Sequence, residues 1–170
     1  HRPGDNRYAN SIIALRGTTG EVVWHFQTLH HDVWDRDVGS PPILVDIRKD
    51  GRTIPSVIQL VKTGMVFAFE RETGVPLFPI EERPVPTDTD IVGEKLSPTQ
   101  PFPSKPAPLM RQHYGAEDVS SISPEALALT QDRIRISPNF GPFPAPSLKE
   151  TIMFPGFDGG MERSEEHTSE

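Results

Sequence analysis

Short apolar runs broken by turn residues dominate the chain, and few of them keep a helical period. Val22 to Thr28, Ile43 to Ile47, Ser56 to Val61 and Met65 to Glu70 are rich in β-branched and aromatic residues and read as strands, with Asp50-Gly51 as a turn between the second and third. Thr151-Ile152-Met153-Phe154 is predicted as a further short strand that stops at Pro155-Gly156. One helix is predicted, from Pro124 to about Ile134, with Ser123 as N-cap, Pro124 at the first helical position and Glu125 in the positive-end turn. Between Pro76 and Pro108 there are nine prolines in 33 residues. That stretch is expected to be an extended excursion outside the sheets, because proline cannot donate to a sheet ladder. Phe78, Ile80, Leu96, Phe102 and Leu109 are placed along it to pin it down. Pro138 to Pro146 reads as a second irregular segment.

The chain also repeats itself. Ala14, Thr19, Gly20 and Trp24 are echoed by Ala68, Thr73, Gly74 and Phe78, each pair 54 residues apart. Both segments are expected to form strand, tight turn, strand, with glycine at positive φ and the aromatic packed against a neighbouring sheet. A period of about 40 to 55 residues suits the blades of a β-propeller. Residues 1–162 would then make roughly three blades, too few to close a ring. The expected fold is all-β: a partial, open propeller with long Pro-rich loops and one short helix.

Composition narrows the picture. Nineteen prolines in 170 residues argue against a helical bundle, and a net charge of -7 argues against a nucleic-acid binder that neutralises phosphates. The absence of cysteine removes disulfides, thiolate nucleophiles and Cys-ligated zinc but leaves the compartment open. No apolar run approaches a membrane span of about 18 residues. His1 reads as a cut edge, and Arg163 to Glu170 reads as a non-native, adapter-derived tail, leaving 1–162 as the native part.

The densest polar cluster is His30-His31-Asp32-Val33-Trp34-Asp35-Arg36-Asp37, directly after a predicted strand. A loop at a strand end can aim Asp35 and one or two others into a cavity. Imidazole and carboxylate together suit a transition metal, and carboxylates alone suit calcium. On sequence physics alone, an exposed acidic turn anchored by a buried Trp34 is as good a reading.

The pattern Ala-x-x-x-x-Thr-Gly-x-x-x-Trp resembles the tryptophan-docking motif of quinoprotein dehydrogenases, eight-bladed propellers. Arg16 and Glu70 depart from it where the motif has Asp, and Phe78 replaces Trp. The polar cluster, preceded by Gln27-Thr28 and followed by Lys62-Thr63-Gly64, resembles the membrane-type glucose dehydrogenase branch of the pyrroloquinoline-quinone enzymes. Arg2 to Tyr8, Arg71 to Gly74, Glu82 to Pro86, Leu96 to Phe102 and Phe154 to Gly156 resemble family segments too. Arg111 to Asn139 is the least similar region, and Ala145-Pro146-Ser147 stands where Thr-Pro-Pro-Ser is expected.

The resemblance implies a dehydrogenase of a glucose-like sugar, polyol or alcohol that uses pyrroloquinoline quinone and calcium. Asp35 would be the general base and Lys62 the lysine that hydrogen-bonds the quinone oxygen beside the reacting carbon. Asp37 could lie near the metal, whose main ligands, like the Trp that stacks on the quinone, would precede His1. Loop hydrogen bonding is the preferred expectation for all four of His30, His31, Asp32 and Asp37. The family also implies a periplasmic location, ubiquinone or a cytochrome as electron acceptor, and membrane association only through other regions. Asp35 and Lys62 should then approach within about 10 Å at one end of the propeller axis. Two other classes remain: a non-catalytic propeller scaffold of the outer-membrane assembly type, which needs neither Asp35 nor Lys62, and a bare metal-binding module on His30, His31 and Asp32.

Overall fold

The computed structural model describes residues 3–119, 121–137 and 141–159. The predicted cut edge at His1 and the predicted tail at 163–170 lie outside the described residues. Among the described residues, seven strands form three antiparallel sheets. β1 (Ser11–Leu15) pairs with β2 (Val22–Gln27), β3 (Ile43–Lys49), β4 (Arg52–Leu60) and β5 (Val66–Glu70) form a meander, and β6 (Ile80–Pro84) pairs with β7 (Thr99–Pro103). The one α-helix among the described residues, α1 (Pro124–Ile136), begins where its cap signals place it, with Ser123 Oγ accepting from Ala126 N–H at 3.1 Å. Among the described residues no helix is long and apolar enough to cross a membrane, and the sheets close no ring.

The first two sheets meet through residues that alternate along their strands. Trp24 and Phe26 on β2 face Phe67 and Phe69 on β5, with centroid separations of 5.8 Å for Trp24–Phe69, 4.8 Å for Phe26–Phe69 and 5.6 Å for Phe26–Phe67. Phe67 and Phe69 are fully buried, and Ile12, Leu29, Trp34, Val57, Val61, Met65 and Phe143 complete the core. Such aromatic pairs contribute about 0.5–1.5 kcal/mol each beyond the area they bury.

The 54-residue repeat is reproduced bond for bond in the turns. Arg16 N–H donates to Glu21 O and Gly20 N–H to Arg16 O, both at 2.8 Å; Glu70 N–H donates to Val75 O at 2.8 Å and Gly74 N–H to Glu70 O at 2.9 Å. Gly20 and Gly74 have φ of 75° and 72°, a region that disfavours any residue with a Cβ. Trp24 sits directly on the second turn: its Nε1 donates to Arg71 O at 3.0 Å, and a Cβ on Gly74 would fall 2.6 Å from its ring. Trp24 is thus packed between adjacent sheets.

Three expectations are corrected. The second Thr-Gly segment is not a strand on its far side: Glu70 N–H to Val75 O and Leu77 N–H to Ala68 O bracket one isolated Phe69–Pro76 bridge, and the ladder stops there, with Leu77 O taken by Lys49 Nζ and Pro79 lacking an N–H. Phe78 therefore lies against its own sheet, with Lys49 Nζ 5.2 Å from its ring. The proline-rich stretch contains the β6–β7 hairpin rather than running wholly outside the sheets. Pro84, Pro101 and Pro103 all occupy alternate positions whose nitrogens face away from the partner strand, while Val85 N–H and Ser104 N–H at the other parity donate to Pro98 O and Pro79 O. Residues 151–154 form no strand, since Ile152 N–H donates to Ser137 Oγ and Phe154 N–H to Gly141 O, both in loops.

Candidate functional site

The polar loop begins where β2 ends, and Asp32 organises it. One Asp32 carboxylate oxygen accepts from Trp34 N–H at 2.8 Å, and the other accepts from Arg36 N–H at 2.9 Å and Asn10 Nδ2 at 3.0 Å. Trp34 and Arg36 are both anchored inward. Trp34 Nε1 donates to Pro144 O at 2.6 Å, and the Arg36 guanidinium, 1% exposed, donates to the carbonyls of Gly156 and Pro155. Burial pushes the Arg36 pKa down to about 10, against the opposing pull of Asp32. Between these anchors Asp35 is turned outward with φ of 58°, and its side chain is 73% exposed.

Lys62 reaches the same point from the tight turn between β4 and β5. Gly64, at φ 76°, closes that turn with its N–H on Val61 O at 2.8 Å, and a Cβ there would strike Met110 at 2.8 Å. Gly159 lies on the lysine stem, where a Cβ would fall 2.6 Å from Lys62 Cγ. Lys62 Nζ donates to Asp35 O at 3.2 Å, stands 3.5 Å from Asp35 Oδ2 and pairs with Asp37 Oδ1. The Asp37 hydrogen bond, with the Coulomb attraction of both carboxylates, holds the ammonium's pKa above the ordinary lysine value despite burial. Asp35, Lys62 and Asp37 therefore meet in one cluster, well inside the expected separation.

The two histidines do not join it. His30 Nδ1–H donates to Gln27 Oε1 at 2.7 Å and its Nε2 lies 3.0 Å from Glu82, whereas His31 Nε2 bonds Glu94 Oε1 at 2.7 Å and its Nδ1 accepts from Asn6. That bond is the largest cause of a Glu94 pKa below the usual carboxylate range. The backbone of His30 is gripped at both ends by the fully buried Gln100 side chain, with two bonds of 2.8 Å. Among the described residues no group of three or more His, Cys, Asp or Glu is placed to hold a metal, so a bare module on His30, His31 and Asp32 finds no support.

Sequence reasoning missed Asn10, Arg36, Glu94 and Gln100, which hold the loop from as far as 70 residues away. The only signal for any of them was Arg36, a guanidinium inside an otherwise acidic run. Beside Asp35 opens a recess of ≈ 360 Å³ walled by the apolar Val33, Trp34, Pro144, Pro146, Met153 and Phe157 and by the polar Ser147, Lys149 and Thr151. A larger cavity of ≈ 570 Å³ lies on the side of His30, His31 and Glu94, and its lining includes neither Asp35 nor Lys62.

The family model described as "PQQ: Glucose/ethanol/alcohol dehydrogenase, beta-propeller domain" matches residues 1–165. The glycerol dehydrogenase large subunit of Gluconobacter oxydans is 36% identical over 162 residues, covering 94% of this chain and 22% of its own length. The quinoprotein glucose dehydrogenase of Escherichia coli is 35% identical over 162 residues, covering 94% and 20%, and quinoprotein glucose dehydrogenase A of Acinetobacter calcoaceticus is 48% identical over 101 residues, covering 56% and 13%. The chain spans about a fifth of the length of the first two. With its paired Thr-Gly turns, its docked Trp24 and a match that runs nearly end to end, the chain belongs to the β-propeller domain family of pyrroloquinoline-quinone glucose, ethanol and alcohol dehydrogenases.

Proposed function

We propose that this chain is part of a quinoprotein dehydrogenase that oxidises a sugar, polyol or alcohol, with Asp35 as general base and Lys62 as the cation at the quinone. The observation that carries the reading is the meeting of an outward-turned carboxylate and a nearly buried ammonium 3.5 Å apart beside a recess. The donor set fits the cofactor: an ammonium has three protons, and Lys62 can keep its two carboxylate contacts while turning the proton now on Asp35 O to a carbonyl oxygen of the quinone. Pyrroloquinoline quinone, when bound, supplies the hydride acceptor.

Oxidation of an alcohol requires the hydroxyl proton to leave as hydride departs from the carbon, and a carboxylate about 3 Å from the hydroxyl can take it. Asp35 is held for that task by Asp32 and by the anchors on both of its neighbours, and its exposure lets a substrate hydroxyl approach. Lys62, kept protonated by Asp37 and Asp35, stabilises negative charge on the neighbouring acceptor oxygen, as an oxyanion hole does. Calcium takes about 6–8 oxygen ligands. Asp37 is available at this end of the fold as one contributor, and the rest belong to other parts of the enzyme. The reading includes a periplasmic location and ubiquinone or a cytochrome as the final acceptor.

The experiment is reconstitution of the full-length enzyme with quinone and calcium, followed by dye-linked oxidation of sugars and alcohols. Lys62→Ala is expected to weaken quinone retention and lower turnover by about a hundredfold, because a charge-assisted hydrogen bond to the cofactor is lost. A Lys62→Ala enzyme with parental turnover and quinone affinity would exclude the assignment.

A further inference from the structure

The two residues that flank Asp35 are both fastened to the same distant segment. Trp34 donates to Pro144 O, and Arg36 donates to the carbonyls of Pro155 and Gly156, so the base is held between two bolts at opposite ends of residues 144–156. Side chains from that segment and its edge, Pro144, Met153 and Phe157, form the far wall of the recess beside Asp35. At ≈ 360 Å³ the recess is at the lower end of small-molecule sites, about 300–1,000 Å³. The loop that carries the base and the wall that faces it are joined by the Trp34 indole at one end and by the Arg36 guanidinium, with two carbonyls, at the other.

That guanidinium is an expensive way to hold a loop. Burying a cation carries a large desolvation cost, visible in the lowered pKa, and well-packed apolar residues often serve stability as well or better. Its planar fork does what an apolar side chain cannot, fixing two successive carbonyls at a set distance and orientation. Among the described residues its Nε is buried without a hydrogen-bond partner, so the contacts to the 155–156 turn are the ones the geometry has favoured.

We propose that Arg36 is a positioning residue: a strut that couples the aim of the Asp35 carboxylate to the width of the adjoining recess, and thereby sets which alcohols are oxidised. This rests on the dehydrogenase reading above and deepens it. A shift of the 155–156 turn moves the recess wall and the base together, and a misplacement of about 1 Å at a reacting group can cost about a hundredfold in rate. The recess takes the part of the substrate that does not react, and its mostly apolar wall selects by size.

The test uses the full-length enzyme loaded with quinone and calcium, with Arg36→Met and Arg36→Lys compared with the parent. The readouts are quinone affinity, kcat, and the ratio of kcat/KM between the parent's best substrate and a homologue one or two carbons smaller. Arg36→Met should lower kcat about tenfold or more and reduce the ratio about fivefold, with quinone affinity kept within about twofold. Arg36→Lys, which reaches one carbonyl, should fall between the two. Loss of melting temperature with parental kcat and ratio per quinone-loaded molecule would overturn the proposal, as would a drop confined to quinone affinity. Should the Arg36 variants fail to fold, Phe157→Ala at a side chain 56% exposed reads the wall directly, and an unchanged ratio there would also overturn it. A parent that binds quinone and oxidises no alcohol would instead defeat the dehydrogenase reading itself.

Discussion

Residues 30–32 and residues 35–37 sit in one loop and carry similar chemistry, yet their polar atoms are engaged in opposite ways. In the first group, His30, His31 and Asp32 turn inward or sideways onto Gln27, Glu82, Glu94 and backbone N–H groups. In the second, Asp35 and Asp37 remain 73% and 55% exposed and share a single lysine. A dense polar run is therefore two devices: one builds the loop, and the other is presented by it. The difference lies in the partners within reach: Asp32 accepts from Trp34 and Arg36 N–H in its own turn, whereas the Asp35 and Asp37 carboxylates face Lys62 Nζ.

The largest effect on stability should come from the inward group. Asp32→Ala removes the acceptor for Trp34 N–H, Arg36 N–H and Asn10, and is expected to cost about 3 kcal/mol, read as a lower urea midpoint of the full-length enzyme. A change below about 0.5 kcal/mol would erase the distinction between the two groups.

Next in size is an acid dependence. The folded pKa of Glu94 lies below its ordinary value because it accepts from His31, so its contribution is fully present above that ordinary value and is lost as pH falls through the folded one. Melting temperature should drop between about pH 5 and pH 3 in the parent and less steeply in Glu94→Gln. Equal slopes would show that the His31–Glu94 bond does not help to hold the loop.

The smallest stability effect belongs to the presented group. Asp35→Asn should change stability by less than about 0.5 kcal/mol, since the side chain is exposed and asparagine tolerates positive φ as well as aspartate does. A loss of several kcal/mol in a denaturation experiment would place Asp35 among the structural residues.

Much of this was legible in the chain itself, for identifiable reasons. Thr-Gly turns are written locally, so Gly20 and Gly74 could be placed with their strands, and the cap at Ser123 with its helix. The fate of the matching aromatics was not local: Trp24 has a turn to sit on, whereas Phe78 follows Pro76 and folds back over Lys49. The hairpin within the proline-rich stretch was hidden because proline counts say nothing of parity, and parity is what lets Pro84, Pro101 and Pro103 enter a two-stranded sheet. Asp35 and Lys62 were found through resemblance, since 27 residues separate them and spacing alone does not make them meet. Arg36 showed only as a charge inside an acidic run and Gln100 not at all, because their partners are backbone groups, which carry no sequence signature.

If Asp35 acts on the substrate while Lys62 acts on the cofactor, as proposed, the decisive measurement is the rate at which substrate reduces the bound quinone in a single turnover of full-length Asp35→Asn. That rate should fall about a hundredfold or more with quinone affinity unchanged, because the shape is kept and only the proton acceptor is removed. Reduction at near-parental rate with every sugar and alcohol that the parent oxidises would contradict the proposal.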